Sequence, residues 1–152
     1  IKAKVKELQP KKIYLQSIWH NYKKENVVGN LSKTIKFIQR ESPKTEIIII
    51  GSVPQWKPIL PLMLIEKKIG INQEEYVQMS SYKELIKIDK KLINYLNKYK
   101  INFISILDNL CMKGKCLAVT EYKAKFWLTS WDNGHLTEAG SVYLFNKIKN
   151  PK

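Results

Sequence analysis

His135 is one of two histidines in this 152-residue chain, and it stands three residues after Asp132 in the stretch Ser130 to Gly140, SWDNGHLTEAG. A histidine that takes a proton on one ring nitrogen needs an acceptor to orient the other, and a carboxylate is the usual orienter. In a D-x-x-H turn the carboxylate can reach back to Nδ1 while Nε2 faces outward. One short loop then supplies the acid and the base of a nucleophilic site. The same residues also fit a capping aspartate beside a surface histidine, and the spacing alone does not choose between these readings.

A nucleophile is harder to find. Ser52 follows a run of isoleucines and Ser17 ends an earlier apolar run, so both are serines at strand ends. Ser52 precedes Val-Pro, which suits a loop, and Ser17 stands beside Trp19 and His20, where packing is the simpler role. His20 has no carboxylate nearby in sequence and reads as a surface residue. Trp19 fits equally a core ring or a ring facing a sugar.

Cys111 and Cys116 are the only cysteines and enclose Met-Lys-Gly-Lys. A small disulfide loop fits this spacing and an oxidising compartment, with two reduced buried thiols as the alternative. A structural zinc site wants four ligands and no second cysteine pair is present; a redox pair has two intervening residues rather than four. No metal and no cofactor is expected.

The elements that must carry these residues follow from periodicity. Lys11 to Ser17, Thr45 to Ser52 and Ile101 to Leu107 are runs of strand length, the second apolar on both faces as a buried parallel strand requires. Between them, Leu31 to Arg40 and Tyr82 to Tyr99 repeat apolar residues every three or four positions and predict helices. A last helix is expected from Thr137, its N-cap, with Val142, Phe145 and Ile148 on one face. The order β-α-β-α-β predicts an α/β fold with a mainly parallel sheet, in one domain spanning residues 1–152. The proline-rich stretch GSVPQWKPILP after the second strand must be a loop, at the strand end where ligand sites of open α/β sheets gather.

Composition narrows the partners. The formal charge is +14, yet Arg40 is the only arginine among the 27 basic residues and the lysines are scattered along the whole sequence. Base readout favours the bidentate arginine fork, so nucleic acid is not the expected partner, whereas an anionic polysaccharide or lipid headgroup is compatible with the same field. No stretch approaches the roughly 20 apolar residues of a membrane span, and IKAKVKELQP lacks the features of a signal peptide. A start at Ile1 rather than methionine points to a piece of a longer polypeptide.

The stretch Trp131 to Leu144, WDNGHLTEAGSVYL, resembles the final block of SGNH hydrolases, in particular the SGNH domain fused to membrane-bound acyltransferases that O-acetylate bacterial surface polysaccharides. IYLQSIWHNY (Ile13 to Tyr22) resembles that family's second block, a strand ending in W-x-x-Y. IIIIGSVPQWKPILP resembles its third, and LCMKGKCLAVT its paired-cysteine segment. The resemblance runs in order from about Lys11 to the final helix.

It implies a three-layer α/β/α, flavodoxin-like SGNH fold that here lacks its first strand. It also implies Asp132 as orienting acid and His135 as general base. The family's Gly-Asp-Ser block has no counterpart, so the nucleophile is expected upstream of these residues and the 152 residues alone are expected to be inactive. Where the family places a Gly and an Asn as oxyanion donors, this chain has Ile18-Trp19 and Ser52-Val53.

The implied activity is transfer or hydrolysis of O-acyl groups, chiefly acetyl, on a bacterial cell-surface glycan. The implied location is the periplasmic side of the inner membrane, with an N-terminal membrane acyltransferase domain of the same polypeptide as partner. The rival expectation is a non-catalytic SGNH-like remnant that binds glycan.

Overall fold

The computed structural model describes residues 2–21 and 27–149. Tyr22, which closes the W-x-x-Y stretch, lies outside the described residues. In chain order the elements are α1 (Lys2–Leu8), β1 (Lys12–Leu15), a 3-10 turn (Trp19–Asn21), α2 (Val27–Glu41), β2 (Glu46–Ile50), α3 (Leu60–Glu66), β3 (Glu75–Gln78), α4 (Tyr82–Asn97), β4 (Asn102–Ile104), α5 (Ile106–Leu110), β5 (Cys111–Met112), β6 (Lys115–Tyr122), β7 (Lys125–Leu128) and α6 (Glu138–Lys149). They form two compact units, Ile1–Ser52 with Lys87–Ser105, and Val53–Ile86 with Ile106–Lys152.

The first unit holds the parallel sheet, in the order β1-β2-β4. Ile13 pairs with Ile47 and Ile48 with Asn102, so β2 is central. Its four isoleucines suit that place, because branched side chains fill both faces of a pleated strand, and Ile47, Ile48 and Ile49 are buried. Val27, Leu31, Ile35 and Ile38 form the buried stripe of α2, and Ile88, Leu92 and Leu96 that of α4. These residues close one core together with Val5, Trp19, Ile47 and Ile49. The third predicted strand is shorter than expected. Only Asn102–Ile104 pairs in the sheet, and Ile106 and Leu107 instead begin α5, where both are buried.

The second unit is built on an antiparallel sheet that the periodicity did not announce. β6 pairs with β3, β5 and β7. Cys116 to Thr120 are all buried, so β6 shows no alternation. The β6–β7 hairpin turns at Lys123 and Ala124, whose φ values of 53° and 56° are both left-handed. Two-residue hairpins favour this geometry but normally signal it with Asn-Gly or Asp-Gly.

Thr137 caps α6 as expected, accepting the Gly140 N–H on its Oγ1 at 3.0 Å. The buried face of that helix is different from the one predicted: Ala139, Gly140 and Leu144 are buried, while Val142 and Phe145 are exposed. Small residues are needed there, since a Cβ on Gly140 would lie 2.3 Å from the Thr129 carbonyl oxygen.

Candidate active site

The turn between β7 and α6 holds Asp132 and His135. Ser130 and Leu136 form an isolated antiparallel bridge across its base. The Trp131 N–H donates to the His135 carbonyl at 3.1 Å. Ser130 is fully buried and its hydroxyl donates to the carbonyls of His135 (2.9 Å) and Asp132 (3.3 Å), so the backbone polar groups of the turn are satisfied from beneath.

Within this frame Asp132 Oδ1 accepts the backbone N–H groups of Gly134 and His135, each at 2.9 Å. Its Oδ2 lies 2.8 Å from His135 Nδ1. One carboxylate oxygen fixes the turn and the other fixes the ring. The Gly134 N–H first, then the His135 ring and the His135 N–H, favour the charged form and hold the Asp132 carboxyl down at about 2. With Nδ1 engaged, Nε2 is left for chemistry, and 83% of the His135 side-chain surface is open.

The proline-rich loop that follows β2 clamps this turn. The Trp56 N–H donates to the Asn133 carbonyl at 2.7 Å and the Asn133 side-chain amide donates back to the Trp56 carbonyl at 2.9 Å. The Leu60 N–H, at the start of α3, donates to the Asp132 carbonyl at 3.3 Å. Trp56 is buried, and the Gln55 carbonyl accepts the Ser81 hydroxyl at 2.8 Å. Gly134 eases the close approach, because a Cβ there would stand 3.2 Å from the Pro54 carbonyl oxygen and displace the end of the Gln55 side chain.

Of the other sequence-predicted residues, Ser17, Trp19, His20 and Ser52 lie in the first unit and the two cysteines in the second. Ser52 is buried; its N–H and hydroxyl both donate to Asp89 Oδ1, at 3.0 and 2.7 Å. That arrangement ties the end of β2 to α4 and gives Ser52 the geometry of a structural anchor. Trp19 is also buried, and its indole N–H donates to the Ile50 carbonyl at 2.8 Å, so of its two readings the core ring describes it. Ser17 is half-buried, its carbonyl accepting the Trp19 N–H at 2.9 Å, and His20 is half-buried in the 3-10 turn rather than fully exposed. Cys111 and Cys116 form a disulfide that joins facing residues of β5 and β6.

Two groups of residues were missed. Asp89 carried a signal, since it falls four residues after Leu85 and three before Leu92, inside the apolar stripe of α4. The Asn133–Trp56 clamp carried none, as its partners are 77 residues apart.

Comparison with known proteins places the chain. Residues 1–150 match the family described as the SGNH domain fused to AT3 domains. A comparison with curated proteins returned no match. Among solved structures, the periplasmic domain of a lipopolysaccharide acetyltransferase from Salmonella ser. Paratyphi A is 32% identical with a TM-score of 0.80, and the match covers 98% of this chain and 59% of that one. This chain thus spans little more than half the length of that relative. A GDSL-like lipase from Bacteroides thetaiotaomicron, 14% identical with a TM-score of 0.59, matches over 97% of this chain and 66% of its own and shares the fold. The α/β fold with its parallel sheet, the ordered sequence blocks and the match along nearly the whole chain together establish that this protein belongs to the SGNH domains found fused to AT3 domains.

Proposed function

We propose that this chain is the C-terminal portion of a single extracytoplasmic SGNH domain that moves O-acyl groups, chiefly acetyl, on a bacterial cell-surface polysaccharide. The observation that carries the reading is the oriented pair, His135 Nδ1 at 2.8 Å from Asp132 Oδ2 with Nε2 directed away from it. The relative named as a lipopolysaccharide acetyltransferase periplasmic domain supports the glycan and the acetyl group. The family description supports a membrane acyltransferase domain as the partner within the same polypeptide. The disulfide fits the periplasmic side of the membrane, to which that partner would tether the domain.

In this mechanism a serine upstream of these residues attacks the acyl carbonyl while His135 Nε2 takes its proton. Asp132 stabilises the imidazolium that forms and is not itself protonated. The tetrahedral intermediate collapses as His135 returns the proton to the departing oxygen, leaving an acyl-serine. A sugar hydroxyl or water then repeats the sequence, His135 again acting as base. Transfer and hydrolysis differ only in that last acceptor.

The test is acyl transfer by the full-length polypeptide carrying His135→Ala. Loss of transfer with an unchanged fold is expected; undiminished activity sinks the assignment. A second reading, a glycan-binding domain without catalysis, is favoured by one observation: Ser52, at the end of β2, is engaged by Asp89. A serine-directed fluorophosphonate applied to this chain separates the readings further. An adduct that vanishes in His135→Ala locates the nucleophile within these residues, and no adduct agrees with one supplied from upstream.

A further inference from the structure

Trp131 is 64% exposed, although it sits in the turn braced by the Ser130 hydroxyl and the Trp56–Asn133 bonds. The two residues before it, Thr129 and Ser130, are almost completely buried. Its own N–H is committed to the His135 carbonyl. That bond sets Trp131 opposite His135 across the turn. An indole and an imidazole, both open to solvent, are thus carried by residues joined across one turn, on a backbone that Ser130, Thr137 and the Trp56–Asn133 clamp hold still.

An exposed tryptophan that adds nothing to the core is usually an interaction site, because a large rigid ring offers contact area at low entropic cost. The immediate surroundings specify the ligand. The turn that carries the ring continues as Asp132, Asn133, Gly134 and His135, so one flat apolar surface is bordered by polar groups. A pyranose has the complementary form, with an apolar C–H face and hydroxyls at its rim. An acyl chain would need a longer apolar track than one ring bordered in this way.

We infer that the Trp131 indole is a platform on which a hexopyranose ring of the glycan stacks, so that a rim hydroxyl or its ester lies against His135 Nε2. This rests on the proposed glycan reading and sharpens it by naming the residue that selects a sugar ring. Trp131 binds and positions the substrate and takes no part in proton transfer. The platform reads the ring face rather than its substituents, so simple hexopyranoses engage it weakly.

The test needs no turnover. The chain has four tryptophans, hence four indole N–H signals in a 15N-labelled sample, and Trp131→Phe identifies the relevant one by its disappearance. Titration with methyl glucopyranoside and with maltotriose at tens of millimolar is expected to shift the Trp131 signal saturably, leaving the other three in place. Trp131→Ala is expected to weaken maltotriose binding at least about tenfold, and Trp131→Tyr to keep it within about threefold, as loss and retention of one stacking ring imply. A Trp131 signal that stays fixed with both sugars, or equal maltotriose affinity in Trp131→Ala, overturns the platform. Because binding is read directly, its failure leaves the base role of His135 standing. Undiminished activity in His135→Ala would in turn leave the platform untouched.

Discussion

Two aspartates in this chain each accept several hydrogen bonds, and they do so to opposite ends. Asp89 is 3% exposed and is spent on the backbone N–H and hydroxyl of Ser52. Asp132 keeps 41% of its side-chain surface open and divides its oxygens between the turn backbone and an imidazole. The first site has a buried serine hydroxyl donated to a carboxylate with no imidazole between them. The second has acid and base in order, and the serine it touches, Ser130, is turned to the turn's carbonyls rather than to the imidazole. Proximity of suitable residue types is therefore not enough; an ordered relay with one solvent-facing end is what distinguishes a reactive arrangement from an anchor.

The sharpest separation comes from His135→Ala, which is expected to lower acyl transfer by the full-length protein about a thousandfold, within the range of general base catalysis. Thermal unfolding should be nearly unchanged, because the ring is exposed. Asp89→Ala should do the reverse. Leaving two buried donors of Ser52 unsatisfied is expected to cost roughly 2–4 kcal/mol in denaturant unfolding, while activity per folded molecule persists. A stable Asp89→Ala variant without activity would erase the distinction drawn above.

Thr137→Ala removes the cap that begins α6 just beyond the turn, and a loss of about 1 kcal/mol is expected by the same measurement. The smallest effect concerns pH. The Asp132 carboxyl is held at about 2 against an ordinary 3.8, so its contribution to stability is complete above pH 4 and is lost as pH falls from 4 toward 2. Melting curves of the wild type and Asp132→Asn should accordingly converge in that window and run parallel above it. Divergence on acidification would contradict the hydrogen bonding described for the turn.

What could be read in advance follows the range of the interactions. The helices α2 and α4, strand β2 and the Asp132–His135 pair are each encoded within a few residues, so periodicity and spacing reveal them. The β6–β7 hairpin was hidden because its left-handed turn is made by Lys123 and Ala124 rather than by the residues that favour such φ values. The face of α6 differs because the buried positions are the small Ala139 and Gly140, the latter against the Thr129 backbone, and not the larger Val142 and Phe145. Helix periodicity rewards large apolar residues and is blind to contacts that require small ones. Whether Trp19 served the core depended on the partner of its indole, Ile50, which lies 31 residues away.

The bond between Cys111 and Cys116 has a consequence for the order of events in biosynthesis. The two thiols are five positions apart, so they remain neighbours even in the extended chain, and closing so short a loop takes little entropy. Within these 152 residues the two cysteines allow a single intramolecular pairing. The β5–β6 hairpin can thus be sealed as soon as it meets an oxidant. Completion of the parallel sheet is not needed for that step.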